Sequence, residues 1–192
     1  MKTLLEEVRA CSLCAHELPH EPRPVLRSFS AQARVLIVGQ APGRKVHETG
    51  LPWNDPSGDL LREWLQIDRD RFYDGKRIAI IPAAFCYPGK GSGGDLPPRP
   101  ECAPTWHPRL QKHLPRVRLT LLIGAYAQAY YLGARRRGTL AATVRAWRDY
   151  MPNYFPLPHP SPRNRNWLKL NDWFEREVLP QLRAEFKRAM SD

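Results

Sequence analysis

Two stretches of the chain are almost continuously apolar, ARVLIVG (Ala33–Gly39) and LTLLIGA (Leu119–Ala125). A strand with one wet face alternates apolar and polar residues, so runs of this kind belong to strands covered by helices on both faces. Two further β-rich runs, RIAIIPAAF (Arg77–Phe85) and NYFPLPHP (Asn153–Pro160), complete a set of four. Helical patterns lie between and after them. The clearest is Ser57–Gln66, which opens on an N-cap residue and places Leu60, Leu61, Trp64 and Leu65 on one face. Others run over Thr105–Leu114, Tyr126–Leu132 and Thr139–Trp147, and a longer one over Trp167–Met190 is expected to kink or break at Pro180. The alternation predicts a three-layer α/β/α fold around a central, mostly parallel four-stranded sheet. At 192 residues the chain fits one domain, residues 1–192. Sheets of this type bind ligands beyond the carboxyl ends of their strands, so functional residues are expected just after each apolar run. Tyr87–Pro100, rich in Gly and Pro, is expected to be a long irregular loop.

Thirty Lys and Arg stand against nineteen Asp and Glu, for a net charge of +11 and a pI near 9.9. Such a balance favours a polyanionic partner, DNA or RNA, through phosphate contacts and counterion release. No stretch approaches the roughly 18 apolar residues a membrane span requires, and the N-terminal MKTLLEEVRACSLC carries charges where a signal peptide would be apolar. The expectation is a soluble, cytoplasmic protein with no membrane partner.

The four cysteines form one pattern, Cys11-x-x-Cys14 near the N-terminus and Cys86 with Cys102 on either side of the Gly/Pro-rich segment. Two disulfides and unrelated buried thiols are possible readings, although disulfides are disfavoured in a reducing compartment. A thiolate tetrad can instead hold zinc or an iron–sulfur cluster, and spacing does not separate the two. The second C-x-x-C knuckle of a zinc ribbon is absent.

The segment GQAPGRKVHETGLPWNDPSGDLLREWL after the first run resembles the first motif of the family 4 uracil-DNA glycosylases, the iron–sulfur type. Gly39, Ala41, Pro42, Gly43, Gly50, Pro52, Gly58, Leu60 and Leu61 match it without a gap. The family separates its last two cluster cysteines by fifteen residues, as Cys86 and Cys102 are separated here. His159-Pro160-Ser161-Pro162-Arg163-Asn164 is similar to the second active-site motif of the superfamily, in the form of its single-strand-selective members. The resemblance spans positions 11–164. It implies a monomeric base-excision repair enzyme acting on damaged DNA, single- or double-stranded, and a 4Fe-4S cluster on Cys11, Cys14, Cys86 and Cys102, with zinc as the alternative.

The same resemblance implies roles for the site residues. Pro42 and Gly43 would form a tight turn bringing backbone N–H groups to the base or the attacking water, with Gly39 and Ala41 beside them as substrate-binding residues. Trp53 would be the stacking floor for a flipped base. His159 would donate a hydrogen bond to the base oxygen that becomes negative as the glycosidic bond breaks. Ser161, Pro162, Arg163 and Asn164 would form the loop that contacts the DNA backbone and fills the gap left by the base. The run Arg135-Arg136-Arg137 would meet phosphates.

Two positions depart from the family. Gln40 replaces its Glu and cannot act as a general base, and Pro82 replaces its uracil-reading Asn, with neither a side-chain amide nor a backbone N–H. A replacement carboxylate is expected from Asp55, with Glu48 as the other candidate. The excised base is open between uracil, hypoxanthine and another lesion. Two other readings stand beside the glycosylase: a noncatalytic nucleic-acid-binding or damage-sensing module on the same fold, and an unrelated zinc-ribbon protein.

Overall fold

The four apolar runs assemble into one sheet because each is sealed on both sides. In the computed structural model, which describes residues 2–191, the strands are β1 (Val35–Val38), β2 (Ile78–Ile80), β5 (Leu119–Ile123) and β6 (Tyr154–Leu157). They lie in the order β2-β1-β5-β6 and all pairings are parallel. Val35 pairs with Ile78 on one side and Leu119 on the other, and Ile123 pairs with Leu157. Pro156 is tolerated in β6 because that strand is an edge.

Successive side chains point to opposite faces, so each strand feeds two cores. Val35, Ile37, Leu121, Ile123 and Phe155 pack on one face under α3 (Pro56–Leu65), α7 (Leu140–Arg145) and α9 (Leu179–Met190). Leu36, Val38 and Leu122 pack on the other under α1 (Lys2–Arg9), α5 (Cys102–Gln111) and α6 (Gly124–Leu132). Fully burying a Leu, Ile or Phe side chain contributes about 1.5–3 kcal/mol, which makes these faces the main stabilising term. Among the described residues no helix is long and apolar enough to cross a membrane.

Several elements differ from the sequence expectation. The second run forms a strand only over Ile78–Ile80 and continues as irregular chain to Phe85. The Gly/Pro-rich segment is not irregular throughout: Lys90–Gly91 (β3) and Gly94–Asp95 (β4) pair as a small antiparallel hairpin. Gly94, with φ 144°, supplies backbone that a side chain would strain. Helix α5 begins at Cys102 rather than Thr105. The C-terminal pattern is split between α8 (Arg165–Leu170), a π-helical turn (Phe174–Val178) and α9. The break therefore precedes Pro180, which sits in the first turn of α9, where a missing N–H is tolerated. Short helices α1, α2 (Arg44–Thr49) and α4 (Arg69–Phe72) were not anticipated.

The run Arg135–Arg137 follows α6, which starts at the carboxyl end of β5 and runs back toward the amino ends of the strands. Arg135 covers the ring of Tyr154, the first residue of β6, and Arg137 pairs with Asp149 at 2.6 Å. These arginines thus lie at the opposite end of the sheet from the segments that follow β1, β2 and β6.

Candidate active site

A cavity of about 400 Å³ opens at the carboxyl ends of β1, β2 and β6, where a parallel sheet offers a crevice. Gly39, Gln40, Ala41, Pro42 and Gly43 form one wall; Trp53 and Asp55 form another. Pro82 closes it from the β2 side, and His159, Ser161, Arg163 and Asn164 from the β6 side. The site residues expected from the sequence outside the cysteines line this cavity, except Pro162, which opens a short exposed turn, Glu48, and the phosphate-contact run Arg135–Arg137. Glu48 is outside it, on the surface of α2, paired with Arg44 at 2.8 Å.

Trp53 is held in an unusual backbone conformation, φ 58°, that a bulky side chain rarely adopts. Its surroundings impose it. The buried Arg62 donates to the Trp53 carbonyl at 3.2 Å and to Asp59 at 2.6 Å, and Tyr73 donates its hydroxyl to the carbonyl of Pro52 at 2.6 Å. Two glycines make room. A Cβ on Gly58 would lie 1.8 Å from the Trp53 carbonyl oxygen, and one on Gly39 would lie 2.8 Å from Cζ2 of the indole. Arg62 escaped the sequence reading because a single arginine on an amphipathic helix looks like any solvated charge.

The indole lies against His159, and the loop after β6 fixes that histidine through its backbone. The His159 carbonyl accepts from the Ser161 N–H at 2.8 Å and from the Asn164 amide at 2.7 Å. Asn164 is therefore committed to holding His159 in place. Burial lowers the His159 pKa below the ordinary histidine value and outweighs Asp55 and Asp95, which act in the opposite direction. Burial thus favours the neutral imidazole, which keeps one N–H to donate.

Asp55 lines the cavity and also caps α3: its Oδ1 accepts from the Gly58 N–H at 2.9 Å. Gln40 makes no side-chain hydrogen bond to another described residue. Pro82 offers the cavity no polar group, because its carbonyl accepts from His107 Nε2 at 2.9 Å. That bond fixes the tautomer. His107 Nδ1 then accepts from the Tyr131 hydroxyl at 2.7 Å, whose oxygen accepts from Gln111 at 2.7 Å. Burial drives the His107 pKa down to about 4. The chain Gln111, Tyr131, His107 was not legible in the sequence, since Tyr131 lies on another helix, 24 residues from His107, and none of the three belongs to a motif. Asp95 was also missed; β4 brings its carboxylate to the cavity lip, where it accepts from the Tyr87 hydroxyl at 3.4 Å.

Cys11, Cys14, Cys86 and Cys102 line one small enclosed cavity together with Phe85 and Arg99, and none is in a disulfide. Burial pushes the Cys86 thiol up to about 11 and Cys102 up to about 12, with smaller upward effects from the neighbouring cysteines. No group of three or more His, Cys, Asp or Glu side chains among the described residues is arranged to hold a single metal ion.

The geometry is that of a crevice with an aromatic wall, a buried histidine and a glycine-rich turn at the ends of a parallel sheet. A family model for the uracil DNA glycosylase superfamily matches residues 26–183, which include all of these elements. The chain belongs to the uracil-DNA glycosylase superfamily.

Proposed function

We propose that the protein is a base-excision glycosylase that hydrolyses the N-glycosidic bond of a damaged base flipped out of DNA. The observation that carries this reading is His159 lying against Trp53 inside a cavity of about 400 Å³ at the carboxyl ends of the parallel strands. A base in a duplex is out of reach of such a cavity and must be extruded into it. Trp53 gives the base a surface to pack on. His159 N–H donates to the base oxygen that turns negative as the bond to C1′ breaks, an interaction that strengthens in the transition state and so lowers the barrier. The turn at Pro42 and Gly43 brings the backbone close to the same space. The net charge of +11 supplies the phosphate attraction.

Reading of the base differs from the pattern in which an Asn recognises uracil. Pro82 has no donor, and its carbonyl is engaged by His107. The Gln40 amide, free of protein partners among the described residues, carries one acceptor and two donors and suits the imide edge of uracil or the corresponding edge of hypoxanthine.

The cysteine tetrad suits a 4Fe-4S cluster, with zinc as the alternative. Cys11, Cys14, Cys86 and Cys102 line one cavity and none is in a disulfide, so all four thiols are available to a thiolate-ligated group. When bound, such a cluster would tie the N-terminal segment to the chain after β2; the steps at the base are performed by the residues of the other cavity.

Single-turnover assays on oligonucleotides carrying one uracil, hypoxanthine or other lesion test the activity, with abasic-site formation expected for at least one. A second reading, a damage-sensing module without chemistry, is favoured by Gln40 and Pro82 and would bind these DNAs with no abasic site formed.

A further inference from the structure

We propose that Asp95, carried to the cavity by the β3–β4 hairpin, is the catalytic carboxylate that receives the proton of the attacking water; the proposal rests on the glycosylase reading. Gln40 cannot take a proton. Of the two carboxylates that line the cavity, Asp55 already has Oδ1 engaged with the Gly58 N–H as the cap of α3. A carboxylate in that role is held by its own helix and gives up cap stabilisation when protonated. Asp95 has no such duty. One oxygen, Oδ1, accepts a long bond of 3.4 Å from the Tyr87 hydroxyl. The other, Oδ2, points toward the Gly39–Gly43 turn, 3.3 Å from where a Cβ on Gly43 would lie.

The surroundings hold that aim. The Tyr87 ring is buried and stacks on His20 with centroids 5.4 Å apart and planes 13° from parallel, and it packs at a tilt against His47. The phenol therefore meets Asp95 from a fixed direction, as an orienting group meets a general base. The hairpin is tied to the loop of His159 by Arg163, whose Nη1 donates to the Gly93 carbonyl at 3.3 Å. Gly94, with φ 144°, holds backbone that a side chain would strain, and a Cβ there would stand 2.7 Å from that same nitrogen and push the arginine tip aside. One clamp thus sets the spacing between the carboxylate and the histidine. Charge makes the placement costly without a function: an exposed aspartate on the lip of a cavity meant for a phosphate-lined substrate repels it.

In the step itself, the C1′–N bond breaks and its electron pair leaves with the base, which His159 stabilises as an anion through its N–H. The water oxygen forms the new bond to C1′, and the water proton passes to the Asp95 carboxylate. That proton then returns through solvent to the departed base, giving free base and an abasic sugar. Before the water adds, the same carboxylate faces the positive charge that develops on the sugar.

Single-turnover cleavage of the best lesion substrate, with affinity for undamaged DNA of the same length and thermal melting measured in parallel, tests the proposal. Asp95→Asn is expected to lower the rate about a hundredfold, within the range for loss of one acid–base group, with melting unchanged and DNA affinity equal or higher. Its loss should exceed that of Asp55→Asn at least tenfold. Tyr87→Phe should lose part of the rate, and adding it to Asp95→Asn should cost nothing more, because its effect runs through the carboxylate. Wild-type cleavage by Asp95→Asn, or a larger loss in Asp55→Asn, overturns the assignment while a slow His159→Ala leaves the glycosylase reading intact. Failure of the wild-type protein to cleave any lesion overturns that reading, and the role of Asp95 with it.

Discussion

The indole of Trp53 lies against the imidazole of His159, ring centroids 5.6 Å apart and planes 28° from parallel. The contact joins the segment after β1 to the segment after β6, two pieces of chain brought together only because β1 and β6 flank β5 in the sheet. It restricts rotation of the histidine and screens it from water on one side. The enclosed imidazole and the left-handed backbone of Trp53 are thus parts of one arrangement.

His159→Ala should lower single-turnover base release by two to three powers of ten while leaving DNA affinity almost unchanged, the usual outcome when a transition-state donor is removed. The ring resonances of His159 in NMR should titrate below the ordinary histidine value, because burial dominates. Since the nearby carboxylates favour the imidazolium, Asp55→Asn and Asp95→Asn should each lower that pKa further, Asp55→Asn more. A titration at or above about 6.5 in the wild type would show an imidazole in water rather than one enclosed against Trp53.

Gly39→Ala and Gly58→Ala should separate the site from the fold. At Gly39 the new methyl meets the tip of the indole, which can swing, so melting should change little while base release slows and tryptophan fluorescence shifts. At Gly58 it meets the Trp53 backbone at 1.8 Å, which cannot give. That variant should be destabilised by about 1–3 kcal/mol or more, as overpacked sites are. Equal melting of the two variants would contradict the packing described.

His107 should make the protein acid-sensitive. Its folded pKa of about 4 lies below the unfolded value of about 6.5, so the folded form binds the proton less readily. Its contribution to stability is complete above pH 6.5 and is lost as pH falls from there toward 4, by up to about 3 kcal/mol. Denaturant unfolding of wild type and His107→Gln across this range should show the difference between them shrinking as pH drops. A constant difference would mean that the imidazole is not held neutral between Tyr131 and Pro82.

Protein purified without oxygen should be brown, absorb near 400 nm and contain about four irons per chain. Cys86→Ala and Cys102→Ala should lose the colour and melt at lower temperature, because the cavity would no longer join the N-terminal segment to the chain after β2. Stoichiometric zinc with negligible iron would reverse the assignment, and wild-type melting in both variants would mean that the cysteines share no site.

The sequence by itself determined the sheet and the end of it that matters. Runs such as Val35–Val38 and Leu119–Ile123 report burial through local composition, and a parallel sheet has one functional end whatever its loops do. The placement at the cavity of the Gly39–Gly43 turn and His159 was legible because each follows a strand directly, and that of Trp53 because it belongs to the same ungapped motif, on the far side of α2. What only the tertiary structure decided depends on contacts between segments distant in sequence, which leave no local periodicity to read. Asp55 became a helix cap through one hydrogen bond to Gly58, and Arg135–Arg137 were carried to the far end of the sheet by the direction of α6. Arg62 reached the Trp53 carbonyl, and His107 reached that of Pro82 across 25 residues. Asp95 came to the cavity because two short strands of a glycine-rich segment paired, and the energy of that pairing lies in backbone conformation and in the Arg163 contact rather than in an apolar pattern.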